Sequence, residues 1–235
     1  MKGILYGVGV GPGDPELMTM KACRLIRENE VIAVPGQEVT ETVAYQIAVQ
    51  AVPELAQKTL VPVYMPMTHS KEERDRLHDA GVKLLESWLD QGKNVIFLTL
   101  GDPTIYCTFT YLQRRAIKDG YETALIPGIT SFCATAARLN MPLVEWNEEL
   151  HIVPAVHSLK HDLSQPGNYV LMKSGKKMDQ VKEILRKSGR DVCMAENCSM
   201  PGEKLYYSVD EIPDDAGYFS LIIAREEPWL DKQNV

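Results

Sequence analysis

The sequence predicts an α/β protein of two domains, with a mainly parallel sheet in the N-terminal domain and a mixed sheet in the C-terminal one. Three observations predict it. Apolar, β-branched runs alternate with segments whose apolar residues recur at helical spacing, as in repeated strand–helix units. The first of these runs is apolar on both faces, as a strand inside a parallel sheet is. Late in the second half, strand-like runs follow one another across short turns such as Pro201-Gly202, which antiparallel pairing allows and parallel pairing does not.

Taken in order, Ile4 to Val10 reads as a buried parallel strand. Gly11-Pro12-Gly13-Asp14-Pro15 breaks it, and Leu17, Met20, Cys23, Leu25 and Ile26 follow at roughly helical spacing. Val31 to Val34 is a short strand, Glu41 to Val52 a helix, Ser70 to Gln91 a charged helix, Asn94 to Leu100 a strand and Ile105 to Lys118 a helix. The polar break Asp119-Gly120-Tyr121-Glu122 sets the domain boundary, giving domains 1–119 and 120–235. The second domain opens with a strand from Thr123 to Ile126 and a helix from Ser131 to Leu139. Strands then follow at His151 to Val153, Tyr169 to Met172, Val192 to Ala195, Lys204 to Tyr207 and Phe219 to Ala224, with a helix from Met178 to Lys187 among them. No internal repeat or low-complexity tract interrupts the pattern.

Composition excludes several function classes. The 235 residues are 45% hydrophobic and 24% charged, and no apolar run reaches the roughly 18 residues of a membrane-spanning helix. The N-terminus runs into Lys2-Gly3-Ile4-Leu5 without the features of a secretory signal, so the cytoplasm is expected. Five scattered cysteines, Cys23, Cys107, Cys133, Cys193 and Cys198, suit small buried hydrophobes in a reducing compartment. Neither Cys193 with Cys198 nor His157 with His161 makes a four-ligand set, so no metal site is expected. A net charge of −7 argues against nucleic acid as the partner, because such binders rely on a basic face.

Chemistry is to be sought in three turns that each follow a strand, where α/β sheets build binding crevices. The first, Gly7 to Pro15, is glycine-rich; it serves equally as a tight strand-to-helix turn or as backbone open to a ligand. Pro12 and Pro15 stand where a dinucleotide fingerprint needs free N–H groups, which discounts a nicotinamide site. The second is Gly101-Asp102-Pro103-Thr104-Ile105-Tyr106. Local grammar makes Asp102 the cap of the next helix with Pro103 at its first position; alternatively its carboxylate faces a cationic ligand. The third is Pro127-Gly128-Ile129-Thr130-Ser131, which opens a helix of small residues. Thr130 or Ser131 can cap that helix, or offer a hydroxyl beside its amides to the polar end of a cofactor. No nucleophile-and-base set accompanies these turns: Ser131 is in no nucleophile elbow, and His69, His78, His151, His157 and His161 have no triad partner.

Gly9 to Leu17, Gly101-Asp102-Pro103 with Tyr106, and Pro127 to Ser131, followed by Leu171-Met172-Lys173 and Glu196-Asn197, together resemble the tetrapyrrole methylase family in order and spacing over essentially the whole chain. The resemblance implies a homodimer whose two domains bind S-adenosylmethionine in the cleft between them, with the N-terminal domain on the substrate side. Within the family, Gly101 to Phe109, Thr130-Ser131-Phe132, Glu196-Asn197-Cys198 and Pro201 to Lys204 are most similar to the C-20 methyltransferases that act on precorrin-2 or cobalt-factor II on the way to the corrin ring of cobalamin. Position by position, the resemblance places the cofactor against Pro12, against Gly101, Asp102, Ile105 and Tyr106, and against Thr130 and Ser131. It adds Met172 beside the adenosine, and Ala195 and Ala224 as further backbone contacts. Cys107 and Trp146 depart from the pattern expected of that subfamily.

Such an enzyme needs no nucleophilic side chain, and no proton-accepting base stands out. The carboxylates of a tetrapyrrole call for cationic partners, for which Arg114, Arg115, Lys118, Arg138, Lys173, Lys176 and Lys177 are candidates, each also explicable as a solvated helix face. Tyr64 to Thr68, with Met65 and Met67, suits an apolar wall for the macrocycle or a buried edge strand. Rival readings are a methylase of another ring position, a nicotinamide-dependent oxidoreductase, and a non-catalytic tetrapyrrole carrier, which would not need the Gly101-Asp102-Pro103 turn.

Overall fold

The computed structural model describes residues 1–66, 68, 70–155, 163–174 and 177–229. Met67, His69, His157, His161 and Lys176, named above, lie outside the described residues. The chain forms two compact units, Met1–Thr130 and Ser131–Val235.

In the first unit, β1 (Leu5–Gly9), β2 (Val31–Pro35), β3 (Thr59–Val63), β4 (Val95–Thr99) and β5 (Thr123–Ile126) form one sheet in the order β3-β2-β4-β1-β5. Every pairing in it is parallel. Helices α1 (Met20–Glu28), α2 (Val43–Ala51), α3 (Lys71–Leu89) and α4 (Phe109–Lys118) cover both faces. Alternate strand residues divide between two cores, which is why the central strands read as apolar throughout. Val8, Ile32, Val34, Ile96 and Leu98 pack with α1 and α2; Leu5, Val31, Ala33, Val95 and Phe97 pack with α3 and α4. Side-chain caps start three of the helices: Thr19, Thr42 and Ser70 accept the amides of Ala22, Tyr45 and Glu73.

The structure moves the expected domain boundary. The units divide after Thr130, not after residue 119, because β5 pairs along β1, Leu5 opposite Thr123 through Val8 opposite Ile126, and so completes the first sheet. Asp119 to Glu122 is the turn between α4 and β5: the Tyr121 amide donates to the Ala116 carbonyl at 2.9 Å and the Leu5 amide to the Glu122 carbonyl at 3.0 Å. Strand β3 was not anticipated. Its sequence, Thr59-Leu60-Val61-Pro62-Val63, carries a proline that only an edge strand tolerates, and an edge is where it lies.

The second unit holds β6 (Leu150–Pro154), β7 (Asn168–Met172), β8 (Asp191–Glu196), β9 (Lys204–Tyr206) and β10 (Ser220–Arg225) in the order β6-β7-β10-β8-β9. β6 and β7 are parallel and the other pairs antiparallel, the mixed sheet that was expected. Helix α6 (Met178–Ser188), ended by left-handed Gly189, packs with Leu171, Val192, Met194, Ile222 and Ala224 on one face. Helix α5 (Ser131–Arg138) lies against β10. Inside the unit Asn168, fully buried, donates to the Leu143 carbonyl at 2.8 Å and Glu148 at 3.0 Å and accepts the Glu226 amide at 2.9 Å.

Candidate functional site

The three turns singled out in the sequence end three neighbouring strands, β4, β1 and β5. The chain leaves β1 for α1 on one face of the sheet and β4 for α4 on the other. Such a reversal opens a crevice at the carboxyl ends of the strands, the usual ligand site of an open α/β sheet. The turns are closely tied. Val10 donates to the Thr99 carbonyl at 3.0 Å, and Gly11 and Gly101 exchange backbone hydrogen bonds of 2.8 and 3.3 Å. A Cβ on Gly9 would stand 2.5 Å from the Gly101 oxygen, and one on Gly128 would stand 2.2 Å from it. Neighbouring backbone therefore demands glycine at both positions before any ligand does. Gly101 differs: its φ of +69° is left-handed, and a Cβ there would meet only the Ile129 oxygen, 3.9 Å away, so that side of the turn is open.

Asp102 is 8% exposed and faces inward. Its Oδ1 accepts the Thr104 amide at 2.7 Å and the Thr104 hydroxyl, and its Oδ2 accepts the Gly128 amide at 3.0 Å. It is thus the head of an Asx turn and a tie to the next loop, not the cap of α4, which begins at Phe109 after Thr108. The expected start at Ile105 fails because this turn occupies the intervening residues and Tyr106 adopts a φ of +46°, incompatible with a helix. The turn closes with Cys107, whose Sγ lies 2.9 Å from the Thr99 hydroxyl and accepts the Phe109 amide at 3.4 Å. These partners escaped the sequence reading, although the Asp-Pro-Thr spelling is itself an Asx-turn signal.

The other expected site residues sort by unit. In the first, Pro12 is buried beside the Gly11–Gly101 bridge, Ile105 is half-buried, and Tyr106 is 44% exposed at the rim. Thr130 carries a buried Oγ1 without a hydrogen-bond partner. In the second, Ser131 is the first residue of α5. Met172 and Ala195 share one rung, each opposite Leu221. Ala224 does not join them: it pairs with Tyr169 and Val192 toward the other end of β10 and packs in the core with α6. Next to Ala195, Glu196 accepts the Gly217 amide at 2.7 Å and the Tyr206 hydroxyl at 3.4 Å. Burial first, and that carboxylate second, push the Tyr206 phenol above its ordinary range. Of the basic candidates, Arg115 is engaged by Asp75 and Asp79 and Arg138 by Glu203.

Residues 4–213 match the family model described as Tetrapyrrole (Corrin/Porphyrin) Methylases. The chain belongs to that family. Among relatives, a Methanocaldococcus jannaschii protein named "Probable cobalt-precorrin-2 C(20)-methyltransferase" is 32% identical over 94% of this chain and 95% of its own length. A Sinorhizobium protein named precorrin-2 C(20)-methyltransferase is 28% identical over 98% of this chain and 97% of its own. Among solved structures, the Thermus thermophilus uroporphyrin-III C-methyl transferase complexed with S-adenosylhomocysteine shares the fold, with a TM-score of 0.69 and 23% identity over 95% of this chain and 98% of that one. In this methylase the Gly11 amide, in the glycine turn after β1, is given to the Gly101 carbonyl.

Proposed function

We propose that the chain is an S-adenosylmethionine-dependent methyltransferase that methylates C-20 of a precorrin-2 ring in the assembly of the cobalamin corrin. The observation that carries the reading is the agreement of two relatives, each aligned over nearly the whole chain, whose names share position 20 and differ in the cobalt. The cobalt-containing ring is our preferred substrate, on the higher identity of the relative named for it.

The residues fit the cofactor. The open side of Gly101 allows close approach, and the unpartnered Thr130 hydroxyl gains a hydrogen bond from a polar ligand group. In our reading Pro12, Gly101, Ile105, Tyr106 and Thr130, with the backbone of Asp102, hold it. The cofactor, when bound, supplies an electrophilic methyl group on a sulfonium. The chain would hold that group close to the ring carbon, a proximity effect that needs no side-chain nucleophile. Arg115 and Arg138 are paired internally; Arg114, Lys118 and Lys177 are our candidates to meet the substrate carboxylates. Among the described residues no helix is long and apolar enough to cross a membrane, and we place the enzyme in the cytoplasm as a homodimer.

The test is an anaerobic reaction of the purified protein with S-adenosylmethionine and either cobalt-factor II or precorrin-2. Release of S-adenosylhomocysteine is followed, and the new methyl group is located by NMR. Methylation at C-20 is expected, faster with the cobalt-containing ring. Methylation at another carbon, or of neither ring, refutes the assignment.

A further inference from the structure

We infer that Asp102 is a positioning residue: its carboxylate locks the turn after β4 to the turn after β5 and does not act as the anion that faces the sulfonium. The inference rests on the cofactor reading above. An acidic residue at the mouth of a site for a cation invites the opposite reading, that its charge holds the ligand. The geometry points away from it. Both carboxylate oxygens are taken, Oδ1 by the Thr104 amide and hydroxyl and Oδ2 by the Gly128 amide, and the residue is 8% exposed.

What the carboxylate controls is the spacing of two backbones. The amide it grips belongs to Gly128, whose Cα side already packs against the Gly101 oxygen and Gly9. The three turns meet around that oxygen with no room for a methyl group. Gly128 stands two residues before Thr130, whose hydroxyl awaits a partner, so releasing the amide lets Thr130 move relative to Gly101. Charge-assisted bonds to backbone amides are among the stronger ones available for such a purpose. The arrangement also suits the chemistry. Positive charge on sulfur disappears as the methyl group leaves, and a carboxylate aimed at it would stabilise the bound cofactor more than the transition state.

Binding of two ligands that differ in charge separates the roles. Dissociation constants for S-adenosylmethionine and for uncharged-sulfur S-adenosylhomocysteine are measured by calorimetry on the wild type, Asp102→Asn, Thr104→Val and Thr104→Ser. An asparagine keeps an acceptor for Thr104 but turns an NH2 group toward the Gly128 N–H, donor against donor. It is expected to weaken both ligands about 10-fold to 100-fold, leaving their ratio unchanged. Thr104→Val is expected to weaken both about 2-fold to 10-fold, and Thr104→Ser, which retains the hydroxyl, to bind as the wild type does. Asp102→Asn weakening S-adenosylmethionine roughly ten-fold more than S-adenosylhomocysteine, as loss of a direct charge contact would, overturns the inference; so does either variant that leaves both affinities intact. If Asp102→Asn does not fold, the Thr104 pair decides. A folded wild type that binds neither compound refutes the proposed function itself, and the inference falls with it.

Discussion

Replacing Gly128 by alanine isolates the packing of the three turns. The new methyl carbon would lie 2.2 Å from the Gly101 oxygen and 3.0 Å from the Gly9 Cα, all backbone, so no side chain can swing away to make room. An ordinary contact needs roughly 3.5–4.0 Å, and the turn after β5 must therefore back off by more than an ångström. That movement breaks the Gly128–Asp102 hydrogen bond of 3.0 Å and strains the Gly11–Gly101 pair. Overpacking in a close-packed region costs about 1–3 kcal/mol, and the released carboxylate bond adds about 1.5–3 kcal/mol. Gly120→Ala is the comparison. Its φ of +82° is left-handed but nothing lies within 4 Å of a new Cβ, so only the conformational penalty of about 1–2 kcal/mol applies. Urea unfolding of the two variants, followed by far-UV circular dichroism, should place Gly128→Ala well below Gly120→Ala in midpoint, with S-adenosylmethionine affinity reduced only in the former. Equal midpoints, or undiminished affinity in Gly128→Ala, would refute the claim that backbone crowding at Gly101 organises the site.

Three further outcomes are expected. His78 is 4% exposed, stacked on Tyr111 at 4.9 Å, and holds its proton less firmly than its ordinary value of 6.5 implies, through burial first and then the charges of Arg115 and Arg74. The unfolded chain then binds a proton that the folded one refuses, so stability should fall as pH drops through 6.5 and level off below the folded value; His78→Phe, which keeps the stacking, should flatten that slope in urea midpoints measured from about pH 5 to 8. Asn168→Leu removes the acceptor of the Glu226 amide and leaves the Leu143 carbonyl unpaired, for an expected loss of about 2–4 kcal/mol in chemical denaturation; a loss under 1 kcal/mol would count against that network. Lys182, with 11% of its side chain exposed, donates to the Ile212 carbonyl and Asp214, each at 2.6 Å; Lys182→Met should raise hydrogen exchange across residues 210–216 while leaving the parallel sheet of the first unit unchanged.

The fold was legible where pattern and burial coincide. Strands such as Val95–Thr99 are buried at every position, and a run apolar on both faces announces itself. Strand β3 was missed because its half-exposed, proline-bearing sequence carries neither that run nor a clean alternation. The boundary was misplaced for a different reason. Asp119 to Glu122 has every mark of a linker, yet whether a strand after a polar turn stays with the preceding sheet depends on whether that sheet has an unfilled edge. Here β1 offered one, and pairing it with β5 is a tertiary fact that no local spelling contains.

The site shows the same division more sharply. Local grammar located all three turns but not the bonds that tie them together, because it weighs each turn alone. Asp102 read as a helix cap or a ligand's counter-ion; it caps no helix, and its partners are Thr104, two residues on, and Gly128, on the far side of β1. The turn from Gly7 to Pro15 read equally as a tight turn or as backbone open to a ligand, and at Gly9, as at Gly128, the space is filled by the Gly101 carbonyl. A glycine turn at the carboxyl end of a parallel strand therefore has two physical origins, close approach of a ligand and close approach of a neighbouring turn. Gly101, left-handed with its outer side open, keeps the first, whereas Gly9 and Gly128 serve the second. The others hold it in place, so mutational sensitivity throughout the three turns is expected even where the residue touches no cofactor atom.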